Sequence, residues 1–597
     1  MAHIKPFKIF NFHPVYVHSE VLSGSYGRRS EGLSFMKHAV RTLCLLLAVL
    51  LLVGCASTGN NNDTTTAPES SGAALDIQAT ETQSASDVST EQALAEISKL
   101  GTSPDDNYRI WYEIFVYSFC DSNGDGIGDL QGVISKLDYL QELGINGIWL
   151  MPIHPSTTYH KYNVSDYYAI DPDYGTMEDF EALMAECEAR GIKVILDLVV
   201  NHTGSEHAWF QEAVSYLQSL NGGEPNADEC KYLDYYFFQQ EEAGGYCQVE
   251  GTDWYYEAMF NYDMPDLNLD SQAVRDEITA IMQYWLDKGV AGFRLDAAKE
   301  FFSGRITKNV ELLSWIQQTA TSLKPDIYLV AEVWEGFAAV TDYYESGITS
   351  IFNFPFGDSN GKIISVIRGA GNAETVSTYA TALEKADKAY LGSNPDYIDA
   401  PFLSNHDVGR IAGFCGSDEY KTKLAGAMNL FMGGGAFIYY GEEIGMVGSG
   451  NDPSKRAPMY WNDARNEGTT DLPPECELPE EYPFGSLEQQ RTDDGSIYNY
   501  YRQAIAIRNA LPVISHGRVT AETALNVGCV SAQRKTWNDE SCIILMNIDT
   551  AAAQVDLSAY ADWMLAASLS ADGNAIEMDG AILNLPAYGV AVLTPAQ

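Results

Sequence analysis

Four stretches of this 597-residue chain carry acids where acids could do chemistry, and the plainest is Gly292-Phe293-Arg294-Leu295-Asp296-Ala297-Ala298-Lys299. Val290 to Leu295 reads as a short buried strand that delivers a carboxylate at its C-terminal end. On a strand, Arg294 and Asp296 point to the same face. A guanidinium beside a carboxylate favours the ionised form, which suits a nucleophile. A surface Arg–Asp pair is the bland alternative for this stretch taken alone. Three other apolar runs end in a similar way: Val194-Ile195-Leu196-Asp197-Leu198-Val199-Val200-Asn201-His202, Ile327-Tyr328-Leu329-Val330-Ala331-Glu332-Val333-Trp334 and Pro401-Phe402-Leu403-Ser404-Asn405-His406-Asp407. Acids at the C-terminal ends of several different strands are the pattern of a β/α-barrel active site.

Taken in chain order, DLVVNH, GFRLDAAK, AEVW and FLSNHD resemble the signature regions of the α-amylase family of glycoside hydrolases, in the family's own order. The resemblance spans residues 108 to 510, followed by a tail domain. It implies an α/β fold: a (β/α)8 TIM barrel with an inserted domain B after strand 3 and a C-terminal antiparallel β-sandwich. On this chain the barrel would occupy 105–512, domain B 203–270 and the β domain 513–597. It also implies roles. Asp296 would be the nucleophile, Glu332 the acid–base and Asp407 the stabiliser of an oxocarbenium-like transition state, in a retaining reaction. Val330, Val333 and Trp334 would supply the apolar surround that raises the Glu332 pKa. Arg294, His202 and His406 would position the sugar, Tyr162 would stack on it, and Lys299 would contact sugar beyond the cleavage point.

The expected activity is endo-acting hydrolysis of α-1,4 bonds in starch, glycogen or maltooligosaccharides, with no organic cofactor. Neopullulanase or cyclomaltodextrinase is the alternative, with oligo-1,6-glucosidase after it. Tyr162 stands in His160-Lys161-Tyr162-Asn163, where many relatives have His-Gly-Tyr-Asp. The Asp holds a terminal glucose in exo-acting relatives, so Asn163 leans against an exo-glucosidase. Met264-Pro265-Asp266-Leu267-Asn268 is intermediate between the forms of oligo-1,6-glucosidases and neopullulanases and decides nothing. A catalytically dead glucan-binding relative is disfavoured, because all three acids stand in intact motifs.

The elements that must position these groups follow from apolar periodicity. Strands are expected over 109–119, 145–153, 192–200, 351–354, 401–403 and 436–440, beside those already named. Helices are expected over 130–144, 177–190, 271–288 and 498–511. Beyond Val513, alternating runs at 527–535 and 541–548 flank Asn538-Asp539, and 588–593 is a further strand. The insertion after the third strand is rich in aromatic residues, among them Tyr235, Tyr236, Trp254, Tyr255, Tyr256 and Phe260. Such rings suit sugar subsites, and a small domain needs them for its own core.

After the first strand comes Asp121-Ser122-Asn123-Gly124-Asp125-Gly126-Ile127-Gly128-Asp129. Oxygen donors at alternate positions, with glycine allowing a tight turn, suit Ca²⁺. The loop resembles a calcium loop of several amylase-family members, in which Asp121, Asn123, Asp125, the Ile127 carbonyl and Asp129 would be ligands of a structural ion. A solvated acidic turn is the alternative. A second family calcium site, near Asn201, is in doubt because Glu300 stands where many α-amylases have a histidine.

A net charge of −46 argues against nucleic acid or anionic lipid as surface partners. Met36 to Arg41 is a basic start, and Leu43 to Val53 is an apolar run too short to span a bilayer. It leads into Leu52-Val53-Gly54-Cys55, which resembles a bacterial lipoprotein signal with Cys55 as the lipidated residue. Residues 1–54 are accordingly read as a signal region with its true start at Met36, and 55–104 as a disordered tether. A monomer is expected at the cell surface, touching the membrane only through its lipid anchor; an ordinary secretory signal with an incidental cysteine, and hence a secreted enzyme, is the alternative. Of ten cysteines, Cys230 with Cys247 and Cys529 with Cys542 could pair, and sequence establishes neither.

Overall fold

The computed structural model describes residues 89–596 apart from 221 and 480. The signal region, Cys55 and the tether up to residue 88 lie outside the described residues. The tether does not run to 104, because Thr90–Ile97 is a helix. Ser89 and Gln92 form a capping box at its start, which satisfies orphan N–H groups. It docks on the Ile497–Ala510 helix through Ile97 and a Glu91–Arg502 ion pair of 2.8 Å.

Seven parallel strands form the central sheet: β1 (Ile110–Ile114), β2 (Gly147–Leu150), β3 (Lys193–Leu198), β4 (Gly292–Leu295), β5 (Tyr328–Ala331), β6 (Ser350–Ile351) and β7 (Ala436–Tyr439). Their order is β7-β1-β2-β3-β4-β5-β6. Residues 399–401 close the sheet into a barrel. Asn353 N donates to Ala400 O (3.0 Å), Gly435 N to Asp399 O (2.8 Å) and Phe437 N to Pro401 O (2.8 Å). The strand expected at 401–403 is absent as a ladder and survives as the single bridge Phe352–Ala400. Pro401 has no N–H to give, so the pairing cannot propagate.

Two further expectations change. The first strand ends at Ile114, and Val116–Phe119 is a helical turn. The helix expected over 130–144 is two, Leu130–Ser135 and Leu137–Leu143, broken at Lys136.

Inside the barrel, residues alternate by two along each strand, as a pleat demands. Trp111, Trp149, Ile195, Tyr328, Val330 and Phe437 pack as a closed apolar plug. One step further along the same faces come Glu113, Asp197, Arg294 and Glu332. The plug is therefore the floor on which the charged residues stand. Gly292 permits the closest approach: a Cβ there would lie 1.8 Å from the Tyr328 carbonyl oxygen.

Between β3 and β4 the insertion holds the Ala208–Ser219 helix and a small three-stranded antiparallel sheet. Tyr235, Tyr236 and Tyr256 are buried in its own core, while Phe260 is 50% exposed. After the barrel, a five-stranded antiparallel sheet faces a three-stranded one, with Val530, Ile543, Leu545, Val555, Leu583 and Leu593 packed between them. Asn538, at φ 51°, makes the expected turn between Val530–Trp537 and Glu540–Asn547. All eight cysteines of the described residues are free, so neither suggested pair is joined.

Candidate active site

The charged layer is organised by Arg294, which is 1% exposed. Its Nη1 donates to Asp296 Oδ1 (2.6 Å) and Asp197 Oδ1 (2.8 Å), and its Nη2 to Glu332 Oε2 (2.8 Å). One cation thus holds three carboxylates contributed by β3 and by the ends of β4 and β5. Glu332 Oε2 also accepts the Ala297 N–H at 2.9 Å. Ala297 reaches that position with φ at 47°, a left-handed conformation rare for a residue with a Cβ. Such strain clusters at functional sites. Burial raises the Glu332 carboxyl above its ordinary range; Arg294 pulls it back, and Asp296 and Asp407 push it further up. The apolar surround expected from Val330, Val333 and Trp334 is thus joined by like charges across the site. Burial also pushes Asp197 up to about 7, against the pull of Arg294.

Asp407 has different company. Its Oδ1 accepts from Arg456 Nη2 (2.7 Å), its Oδ2 lies 3.0 Å from His406 Nε2, and its carbonyl accepts from Lys455 Nζ (2.7 Å). Burial alone would raise its carboxyl, but His406 and Arg456 hold it well below the usual carboxylate range. His406 is buried; its Nδ1 lies 2.7 Å from Glu113 Oε1 and its Nε2 2.8 Å from the Tyr162 hydroxyl. Burial would depress it, yet Asp407 and Glu113 together push it up to about 9. The Tyr162 ring stacks on His406 at 5.4 Å between centroids, and its hydroxyl donates to Asp197 Oδ2 (3.0 Å).

A cleft of about 340 Å³ opens above these groups. Its walls include Asp296, Glu332 and Asp407, together with Tyr162, His202 and Lys299. His202 is buried in that wall; burial lowers its proton affinity, against the pull of Asp296 and of the Tyr162 main chain. Arg294 and His406 are each 1% exposed and stand at the base of the site, against Asp296 and Asp407. Asn163 is not in the wall, since its amide donates to the Asp263 carbonyl (3.2 Å). Lys161, where many relatives have glycine, has φ 65° and is secured by Asp171 (2.8 Å) and Asp173 (3.0 Å).

Sequence reasoning missed Glu113, Asp197 as a partner of Arg294, and Arg456. An acid inside the apolar run Ile110-Trp111-Tyr112-Glu113-Ile114 was the available signal for the first, and a mid-strand acid for the second. Arg456 lies in an irregular segment with no such pattern. Phe260 and Trp334 also line the cleft, half-exposed, from the insertion and from the segment after β5.

The calcium-loop residues are remote from these groups in the hydrogen-bond network. Asp121 Oδ1 accepts from Asn123 N (3.0 Å) and Gly124 N (2.6 Å), and its Oδ2 from Gly126 N (2.8 Å). Asp125 accepts from Ile127 N (2.8 Å). Asp129 caps the Leu130–Ser135 helix through Gly132 N (2.6 Å) and binds Ser122.

Comparison with known proteins agrees with this geometry. The family model described as alpha amylase, catalytic domain, matches residues 113–517. Alpha-amylase 3 of Dictyoglomus thermophilum is 40% identical over 444 residues, 74% of this chain and 84% of that protein. An oligo-1,6-glucosidase of Parageobacillus thermoglucosidasius is 30% identical over 500 residues, covering 68% of this chain and 85% of its own. The solved structure of Eubacterium rectale Amy13B superposes with a TM-score of 0.81 at 44% identity, covering 85% of this chain and 99% of that one. Matches of that length, on a barrel whose strand ends gather these acids, place the chain in the α-amylase family of glycoside hydrolases.

Proposed function

We propose that this glycoside hydrolase is an endo-acting α-amylase that cleaves α-1,4-glucosidic bonds with retention. The observation that carries the endo reading is the pair of exposed rings beside the acids: Phe260 is 50% and Trp334 39% exposed in the cleft wall. Rings from two separate segments offer platforms for sugars beyond the one at Asp296. Binding extra sugars supplies energy usable at the reacting bond.

In the proposed cycle Asp296 attacks the anomeric carbon with Oδ2, the oxygen that Arg294 leaves free. Glu332 Oε2 already accepts two hydrogen bonds, so the acidic proton sits on Oε1 and passes to the departing glycosidic oxygen. The raised proton affinity of Glu332 favours the protonated form that an acid needs. The deprotonated Glu332 then draws a proton from water, which opens the glycosyl-enzyme ester at the same carbon. Retaining enzymes hold their two carboxyl groups about 5–5.5 Å apart, and a shared guanidinium suits that short separation. Asp407, kept ionised by two cations, faces the developing positive charge. The test is a time-resolved product profile on amylose, pullulan, cyclodextrin and isomaltose. Early release of mixed oligosaccharides from amylose supports the reading. Preferential cleavage of isomaltose overturns it in favour of the glucosidase branch, which one of the relatives above represents.

The loop from Asp121 to Asp129 presents carboxylate, amide and carbonyl oxygens, the donor set of a hard cation. Among the described residues no group of three or more His, Cys, Asp or Glu side chains is arranged to hold a metal. The fit therefore rests on the Asn123 amide and the Ile127 carbonyl as well as on Asp121, Asp125 and Asp129. A calcium ion there would tie the loop to the helix that Asp129 caps, a structural role. A cell-surface location through lipidated Cys55 is proposed from the sequence pattern alone. Mass spectrometry of the mature N-terminus tests it.

A further inference from the structure

We propose that Glu113, which does not touch the cleft, is a positioning residue that holds His406 as a doubly protonated imidazolium and, through it, orients Asp407. This rests on the catalytic reading above. The argument begins with hydrogen-bond bookkeeping around one ring. His406 Nδ1 is 2.7 Å from Glu113 Oε1, and Nε2 is 3.0 Å from Asp407 Oδ2. Carboxylate oxygens only accept when ionised. A neutral imidazole has one N–H, so either tautomer would aim a lone pair at one of the two carboxylates. With both acids ionised, only the imidazolium gives each a donor.

The remaining groups around the ring fit this assignment. The Tyr162 hydroxyl donates to Asp197, which leaves its lone pairs for the His406 Nε2–H at 2.8 Å. Arg456 Nε donates to the His406 carbonyl (3.1 Å), and its Nη2 to the far oxygen of Asp407. Arg294 lies on the other side of Tyr162 (3.4 Å) and does not bond the ring. His160 does not bond His406; its Nδ1 accepts from the Tyr162 main-chain N–H (3.2 Å). Trp149 packs edge-on against the imidazole at 5.8 Å and carries no charge.

Glu113 is 1% exposed at the end of β1, and its Oε1 also lies 3.4 Å from the His406 N–H. Burial raises the Glu113 carboxyl, and the hydrogen bond and charge of His406 pull it back; a buried carboxylate of this kind is retained only against a cation or donors. The same distances serve the chemistry: an ionised Asp407 flanked by a fixed cation on each oxygen can meet sugar hydroxyls and developing positive charge without first reorganising. Glu113 thus reaches the reacting centre through one ring.

The test begins with Glu113→Gln, which keeps an acceptor for Nδ1–H and removes the charge. The expected result is a kcat about tenfold lower with KM little changed, the scale seen when a group that orients a functional histidine is lost. The alkaline limb of kcat should also move to lower pH, because the imidazolium gives up its proton more easily. In a His406→Gln background, Glu113→Gln should add no further loss. A merely structural Glu113 would lower thermal stability and leave the pH limb in place, and that pattern overturns the proposal. Should the variant not fold, the wild-type enzyme decides. With ¹⁵N-histidine labelling, and His406→Gln to assign the signal, both His406 nitrogens should read as protonated at pH 7. A neutral ring there overturns the proposal. Failure of the endo-amylase reading is distinguishable, since it would appear in the product profile and leave the His406 signal unchanged.

Discussion

Beneath Asp296 and Glu332 a single guanidinium, Arg294, faces three carboxylates; on the other wall a single carboxylate, Asp407, faces two cations, His406 and Arg456. The same side-chain chemistry in the same barrel mouth therefore ends with opposite shifts in proton affinity. A shortage of cations leaves Glu332 ready to hold a proton, and a surplus keeps Asp407 from taking one. What separates the two carboxyls is the local ratio of charges, since burial pushes both in the same direction.

Substitutions can break either side of this contrast. The largest effect is expected on the arginine hub. Asp296→Asn keeps the shape and removes the nucleophile, so kcat should fall by about 10³-fold or more with the fold intact. Steady-state assays on amylose, with a melting curve as control, would check it. On the other side, Arg456→Leu takes away one of the two cations of Asp407. A loss of about 10²-fold in kcat is expected. Asp407 would then bind a proton more readily, so the acid limb of the pH–rate profile should move to higher pH; an unmoved limb would show that His406 alone suffices.

Outside both charge groups the effects should be smaller and should depend on the substrate. Phe260→Ala or Trp334→Ala should reduce kcat/KM on amylose by roughly fivefold, the worth of about 1 kcal/mol of ring contact. Maltotriose should be affected less, and equal losses on both substrates would argue that these rings only shape the cleft. A last effect is on stability rather than on rate. His406 rises to about 9 from 6.5, so its ion pairs contribute fully below pH 6.5 and are lost as pH rises through about 9. Denaturant titrations at pH 6.5 and 9.5 should show that loss in the wild type and much less of it in His406→Gln.

The sequence foretold one side of this contrast better than the other. Asp296 and Glu332 follow apolar strands in which side chains alternate by two, so their common face could be inferred from spacing. Arg294 was legible for the same reason. Asp407 was read as the end of a third apolar strand, and that strand does not form as a ladder. Arg456 was invisible: it is 49 residues downstream of Asp407 and reaches it from an irregular segment. The rings of the insertion were ambiguous in sequence, since the same tyrosines suit a core or a subsite. Burial shows that Tyr235 and Tyr236 are core, whereas Phe260 stays exposed in the cleft wall. The break at Lys136 and the helix at Thr90–Ile97 were missed because tertiary contacts and caps, rather than periodicity, decide them.

The closure at residues 399–401 has a mechanical side. Elsewhere around the ring, neighbouring strands are joined by ladders; here a few backbone bonds on either side of a proline hold the circle shut. A hoop fails at its weakest rivet, and this one stands next to the segment that carries His406 and Asp407. Local openings of low free energy arise where backbone bonding is sparse. On warming, the circle should part there first and disperse the cations around Asp407, so activity should vanish before the helices melt.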